Sequence, residues 1–242
     1  MPTNTTLPSH DRFAATRWSL VATASSVDDA SARRALIELC LRYWYPVYAY
    51  VRGCGHDAAL AGEIVRAFFE QLVRTRMAGR SREFGRFRQH LLQMLHQFLA
   101  SDWRSSGDGA LVAEFEQMGG EFECRYQTEV QSALGPEQAY QRSYALQVLN
   151  TALDRLRIEA QQAGRLDMFD ALLPFLSEEP IPGQLAHLAQ RLDLAPLALV
   201  ISLKRLRQRF RELVQLELSQ TVTNAADLEQ ERAALAQVLA LR

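Results

Sequence analysis

The chain has 242 residues, 27 Lys and Arg against 28 Asp and Glu, and 48% hydrophobic residues, enough apolar material for one large or two small cores. That composition excludes a globally disordered chain, and three widely spaced cysteines, Cys40, Cys54 and Cys124, exclude a disulfide scaffold. Neither the cysteines nor His10, His56, His90, His96 and His187 have ligand spacing, so no metal and no other cofactor is expected.

The stretch from Met1 to Trp18 is polar and lacks a signal-peptide core. No uncharged apolar run approaches the roughly 18 residues of a membrane span, so a cytoplasmic protein with no membrane partner is expected. Asp28 and Asp29 open a helix whose apolar positions, Ala32, Leu36, Leu39, Tyr43 and Val47, recur at three- and four-residue steps until Gly53-Cys54-Gly55. The aromatic run Tyr43 to Tyr50 follows the same spacing and reads as core packing. A second helix, Asp57 to about Thr75, turns Leu60, Ile64, Phe68 and Leu72 inward, and a third runs from about Phe84 to Trp103. Residues 105–135 hold Gly119-Gly120 and show no sustained period, which reads as a linker with at most a short helix. Pro136 then opens a long helix, Glu137 to Gln162, ended by Gly164, and a short helix from Arg165 is stopped by Pro174. Two helices, Gln184 to Leu192 and Pro196 to about Leu216, are separated only by Asp193-Leu194-Ala195, the sequence shape of a helix-turn-helix. An amphipathic helix, Ala225 to Leu241, closes the chain. The fold class expected is all-α.

Charge is segregated along this order. From Arg74 to Arg104 seven arginines face two acids, from Ser105 to Tyr140 seven acids face Arg125 alone, and Lys204 to Arg211 holds five cations and no acid. Two basic blocks around an acidic stretch suggest two polyanion-facing modules and a linker, the plainer reading being solvated helix faces; whether the acidic linker folds back on the basic blocks is left open by the sequence. Phosphate loops, Gly-x-Ser-x-Gly and His-Glu-x-x-His are absent, and no carboxylate pair sits in an apolar setting, so an enzyme is not expected. Trp103 beside Arg104, at the end of a basic helix, has the residue types that stack single-stranded bases.

Several segments carry a resemblance. Thr16-Arg17-Trp18-Ser19-Leu20, the run Leu39 to Arg52, Phe68-Phe69 and Gly85-Arg86-Phe87-Arg88 with Leu91-Leu92 resemble, in order, the first domain of extracytoplasmic-function-type sigma factors of the sigma-70 family. Gly135-Pro136-Glu137, Ala189-x-Arg191-Leu192, Arg205 to Leu213 and Gln220-Thr221-Val222 extend it through the second half. The resemblance implies a promoter-melting domain over residues 1–104, an acidic linker over 105–135, and a second domain over 136–242 with its helix-turn-helix at 184–216 and a last helix at 225–241. It implies a transcription initiation factor whose partners are core RNA polymerase and promoter DNA. On this reading Arg86, Arg88, Trp103 and Arg104 meet the −10-type element, while Lys204, Arg205, Arg207 and Arg209 meet the −35-type element. Asp57, Glu63, Phe68 and Phe69 dock on the polymerase.

The chain departs from the family in three places, the first being the end of the melting helix, where relatives continue with several arginines and lysines and this chain runs from Asp102-Trp103-Arg104 into Ser105-Ser106-Gly107-Asp108. The acidic cluster usual between Gly55 and Phe68 is reduced to Asp57 and Glu63, and the second helix of the helix-turn-helix begins with the apolar run Ala195 to Val200. A Ser/Thr kinase or an anti-sigma factor is therefore a further candidate partner, although no Ser or Thr occurs from Gly53 to Arg74. The alternative function is a sigma-like interaction module that has lost promoter reading and binds a protein through Leu197, Leu199 and Val200. A plainer fate for that face is burial against helix 225–241.

Overall fold

Helix α1 (Ala30–Gly53) is buried on every side from Tyr43 to Val51, which a helix can be only when other elements surround it. The computed structural model describes residues 17, 30–75, 86–101, 119–129 and 135–240, and among them every regular element is helical. Helix α2 (Ala58–Thr75) covers one flank of α1, with Phe69 stacked on Trp44 at 4.8 Å. Asp57 caps α2 by accepting the Leu60 N–H at 2.8 Å. Helix α3 (Phe87–Leu99) sets Phe98 edge-on to Phe68 and Phe87 edge-on to Tyr43. It is shorter than the periodicity suggests, and Trp103 and Arg104 lie outside the described residues. Helix α4 (Gly119–Glu129) lies in the acidic stretch, for which the sequence allows at most a short helix, and it packs on α1 through Phe122, near Tyr45 and Tyr48.

The longest helix, α5 (Pro136–Gln162), lies along α1. Tyr144 stacks on Tyr43 at 5.1 Å, and Pro136 sits so close to Gly53 that a Cβ there would meet the Pro136 Cα at 3.0 Å. The helix ends in a Schellman cap: Gly164 adopts φ 65°, Arg165 N–H donates to the Ala160 carbonyl and Gly164 N–H to that of Gln161. Helix α6 (Leu166–Leu172) continues into a 3₁₀ turn (Leu173–Leu176) that accommodates Pro174. Helices α7 (Gln184–Arg191), α8 (Pro196–Ser219) and α9 (Ala225–Ala240) complete the chain.

The main apolar core draws on both sides of residues 105–135. Tyr43, Phe69 and Phe87 share it with Tyr140, Tyr144, Leu218, Val222, Leu228 and Leu235. Among the described residues one isolated bridge pairs Arg86 with Val222, Phe87 N–H donating to the Thr221 carbonyl at 2.9 Å. Two further clusters hold α6, α7 and the first half of α8 together and seat α8 on α5. Among the described residues no single helix is long and apolar enough to cross a membrane, and no group of His, Cys, Asp and Glu could hold a metal ion.

Candidate nucleic-acid interface

Helices α7 and α8 meet at 105°, within the range that separates the two helices of a helix-turn-helix. The turn is built by a second Schellman cap, with Leu194 N–H on the Ala189 carbonyl at 2.9 Å and Asp193 N–H on that of Gln190 at 3.3 Å. Asp193 occupies the left-handed position at φ 53°, which glycine usually fills and which Asp tolerates better than most residues. Leu188 and Ala189 from α7, Leu199 and Leu203 from α8, and Leu172 and Phe175 beneath them form the small core that fixes the bend. Leu199 is thus buried within its own helix-turn-helix, and α9, the alternative cover for this face, packs into the main core instead. Pro196 starts α8 at a position where a missing N–H costs nothing.

The opposite face of α8 is open. Leu197 is 70% exposed, Val200 48% and Ile201 42%, with Leu194 beside them, and Lys204, Arg205, Gln208 and Arg211 follow as exposed side chains one to three turns on. A groove of about 630 Å³ runs along one edge of this face, lined by Gly164, Arg165, Asp167, Leu194, Ile201 and Arg205.

The four cations expected at the −35-type element divide into two pairs. Lys204 and Arg205 are exposed. Arg207 folds back, donating to the Phe175 and Glu178 carbonyls at 2.8 Å and pairing with Glu179. Arg209 makes a bidentate pair with Glu159 of α5 at 2.7 and 2.8 Å and reaches Glu212 at 3.1 Å. The Arg209 guanidinium holds the Glu159 carboxyl below its ordinary pKa. Arg207 and Arg209 therefore brace α8 against the elements behind it.

The expected −10-type contacts sit differently. Arg88 is only 6% exposed and forms a bidentate pair with Glu231 of α9 at 2.9 and 3.1 Å, under the ring of Tyr144. Arg86 lies 3.6 Å from the same carboxylate. In this fold both arginines face protein, because Glu231, itself buried, needs cationic partners to offset its lost hydration. Of the residues expected to dock on a polymerase, Asp57 and Glu63 are exposed on α2, whereas Phe68 and Phe69 lie in the main core and hold α1 and α3 in place.

Three acids that sequence reasoning passed over hold arginines across the fold, only one of them taking the expected −10-type contacts. Glu231 takes Arg86 and Arg88; Glu217, also buried, takes Arg42 and lies 2.6 Å from Arg155. Glu123 of α4 takes Arg52 through two bonds of 2.8 and 2.9 Å and accepts the Tyr48 hydroxyl at 2.6 Å. The Arg52 hydrogen bonds draw the Glu123 pKa down to about 2, against the opposing effect of burial. The described part of the acidic stretch, α4, thus packs on α1 through Glu123, outside both basic blocks. A signal for Glu231 was present: it falls in the apolar stripe Leu228, Glu231, Leu235, where an acid without a partner would be costly.

These features define an all-helical protein carrying a helix-turn-helix-shaped unit with a mixed apolar and cationic outer face. Compared with protein-family models, with curated proteins and with solved structures, the chain returns no match.

Proposed function

We propose that the chain is a transcription initiation factor of the sigma-70 family, of the extracytoplasmic-function type, that brings core RNA polymerase to promoter DNA. The observation that carries this reading is the α7–α8 pair, bent by 105° with Lys204 and Arg205 exposed along α8, in the chain region where the sequence resembles the promoter-reading domain of that family. In this reading residues 1–104 supply the polymerase and −10-type contacts, 105–135 the linker and 136–242 the −35-type contacts. Asp57 and Glu63 are the exposed candidates for the polymerase surface, and Arg86 and Arg88 reach a melted strand only once their pairs with Glu231 open.

The test is retention of purified core RNA polymerase by the full chain, with and without a promoter pool, at two salt concentrations. A promoter factor holds polymerase and retains selected duplexes with a steep loss at higher salt, since each phosphate contact releases counterions. Absence of polymerase binding overturns the proposal. It would favour the second reading, a protein-interaction module, for which the exposed apolar side chains Leu194, Leu197, Val200 and Ile201 are the supporting observation.

A further inference from the structure

The first two turns of α8 offer no side-chain hydrogen bond. Pro196, Leu197, Ala198, Leu199, Val200 and Ile201 carry neither donor nor acceptor beyond the backbone, and Ser202, the first polar side chain, is half-buried. In a helix-turn-helix the N-terminal residues of the second helix are those that meet base edges. The major-groove edges of guanine, cytosine and adenine are read through hydrogen bonds, whereas thymine adds a 5-methyl group that an aliphatic side chain can cover.

We propose that α8 selects duplex DNA by its thymine methyl groups, with Leu197 and Ile201 as the reading residues and Val200 at their edge. The inference rests on the promoter-binding function proposed above and specifies what that surface recognises. Leu197, Ile201, Lys204, Arg205 and Gln208 are spaced at i, i+4, i+7, i+8 and i+11 and share one face of the helix. The aliphatic pair at the N-terminal end is followed by cations at the C-terminal end, and Arg191 at the end of α7 and Arg211 further along α8 are also exposed. This order suits a groove floor flanked by phosphates, and charge complementarity commits the face to a polyanion carrying apolar groups. RNA is a poor occupant, because uracil lacks the methyl group and the A-form major groove is too narrow to admit a helix.

The experiment measures binding of the full chain, alone and with core polymerase, to a 24-base-pair A·T-rich duplex. It is compared with the same duplex carrying deoxyuridine for thymidine and with a G·C-rich duplex of equal length. Each thymine methyl removed from beneath Leu197 or Ile201 weakens binding by about 4-fold, the worth of one buried methylene-sized group. The double variant Leu197→Ala, Ile201→Ala changes exposed side chains only, so it folds, and it should bring the thymidine-to-deoxyuridine ratio to 1 while keeping the salt dependence. Lys204→Ala with Arg205→Ala should weaken all three duplexes alike. Equal binding of thymidine and deoxyuridine duplexes overturns the inference and leaves the promoter-binding proposal standing, provided the binding is salt-dependent. An unchanged ratio in the double variant also overturns it and marks the apolar face as a protein surface. Failure to bind any duplex, with or without polymerase, overturns both.

Discussion

At the scale of single residues, the buried pair Arg88–Glu231 shows why a cation's sequence neighbours do not settle its role. Removing Glu231 leaves Arg88 charged, buried and without its carboxylate, so Glu231→Ala is expected to cost about 3–5 kcal/mol in chemical denaturation, and Arg88→Ala less, because Arg86 still lies 3.6 Å from the Glu231 carboxylate. The double variant Arg88→Met, Glu231→Leu should cost less than Glu231→Ala, because it removes both desolvation penalties together. Glu123 gives a pH-dependent counterpart. Its folded pKa, drawn down to about 2 from an ordinary 4.5, means that its pair with Arg52 stabilises the fold fully above about pH 4.5 and progressively less as pH falls toward 2. The pair is only partly buried, so Glu123→Gln should cost about 1 kcal/mol near neutral pH and flatten the acid limb of the stability profile. In sequence the arginines were legible as positive blocks, but their partners were not, since Arg88 and Glu231 lie 143 residues apart.

At the scale of elements, helix existence followed from apolar periodicity, and helix ends followed from turn chemistry that is local to the chain. Gly164 and Pro136 bound α5 where the sequence places them, and Pro196 starts α8, because φ constraints and missing N–H groups act over a few residues. The two Schellman caps invite opposite substitutions. Gly164→Ala puts a Cβ on a backbone at φ 65° and should destabilise by about 1 kcal/mol, whereas Asp193→Gly relieves the same conformation and should stabilise by about 0.5–1 kcal/mol, both read from the denaturation midpoint. Gly53 is constrained from outside its helix instead: Gly53→Ala drives a methyl against the Pro136 backbone and should cost about 1–3 kcal/mol by separating α1 from α5. The sequence marks Gly53 as a helix end; only the neighbouring helix makes it a contact point.

At the scale of the whole molecule, α9 is the element whose role the pattern left most open. It packs Leu228 and Leu235 into the main core and sets Glu231 on α3, so a chain ending after residue 224 should lose protection from hydrogen exchange in α3 as well as in α8, although α3 lies far away in sequence. Unchanged α3 protection would mean that α9 is peripheral to the core. The all-α class, the helix order, the helix-turn-helix shape and the bracing of α1 by aromatic side chains were all determined by the sequence itself, since periodicity, caps and breakers are properties of neighbouring residues. The shared core across residues 105–135, the burial of Arg88 and Phe69, the pairing of Arg86 with Glu231, and the exposure of Leu197 and Ile201 were decided by the tertiary structure alone. Which of two equally apolar or equally charged faces turns inward depends on the complementary surface that a distant segment brings to it, and no local pattern contains that information.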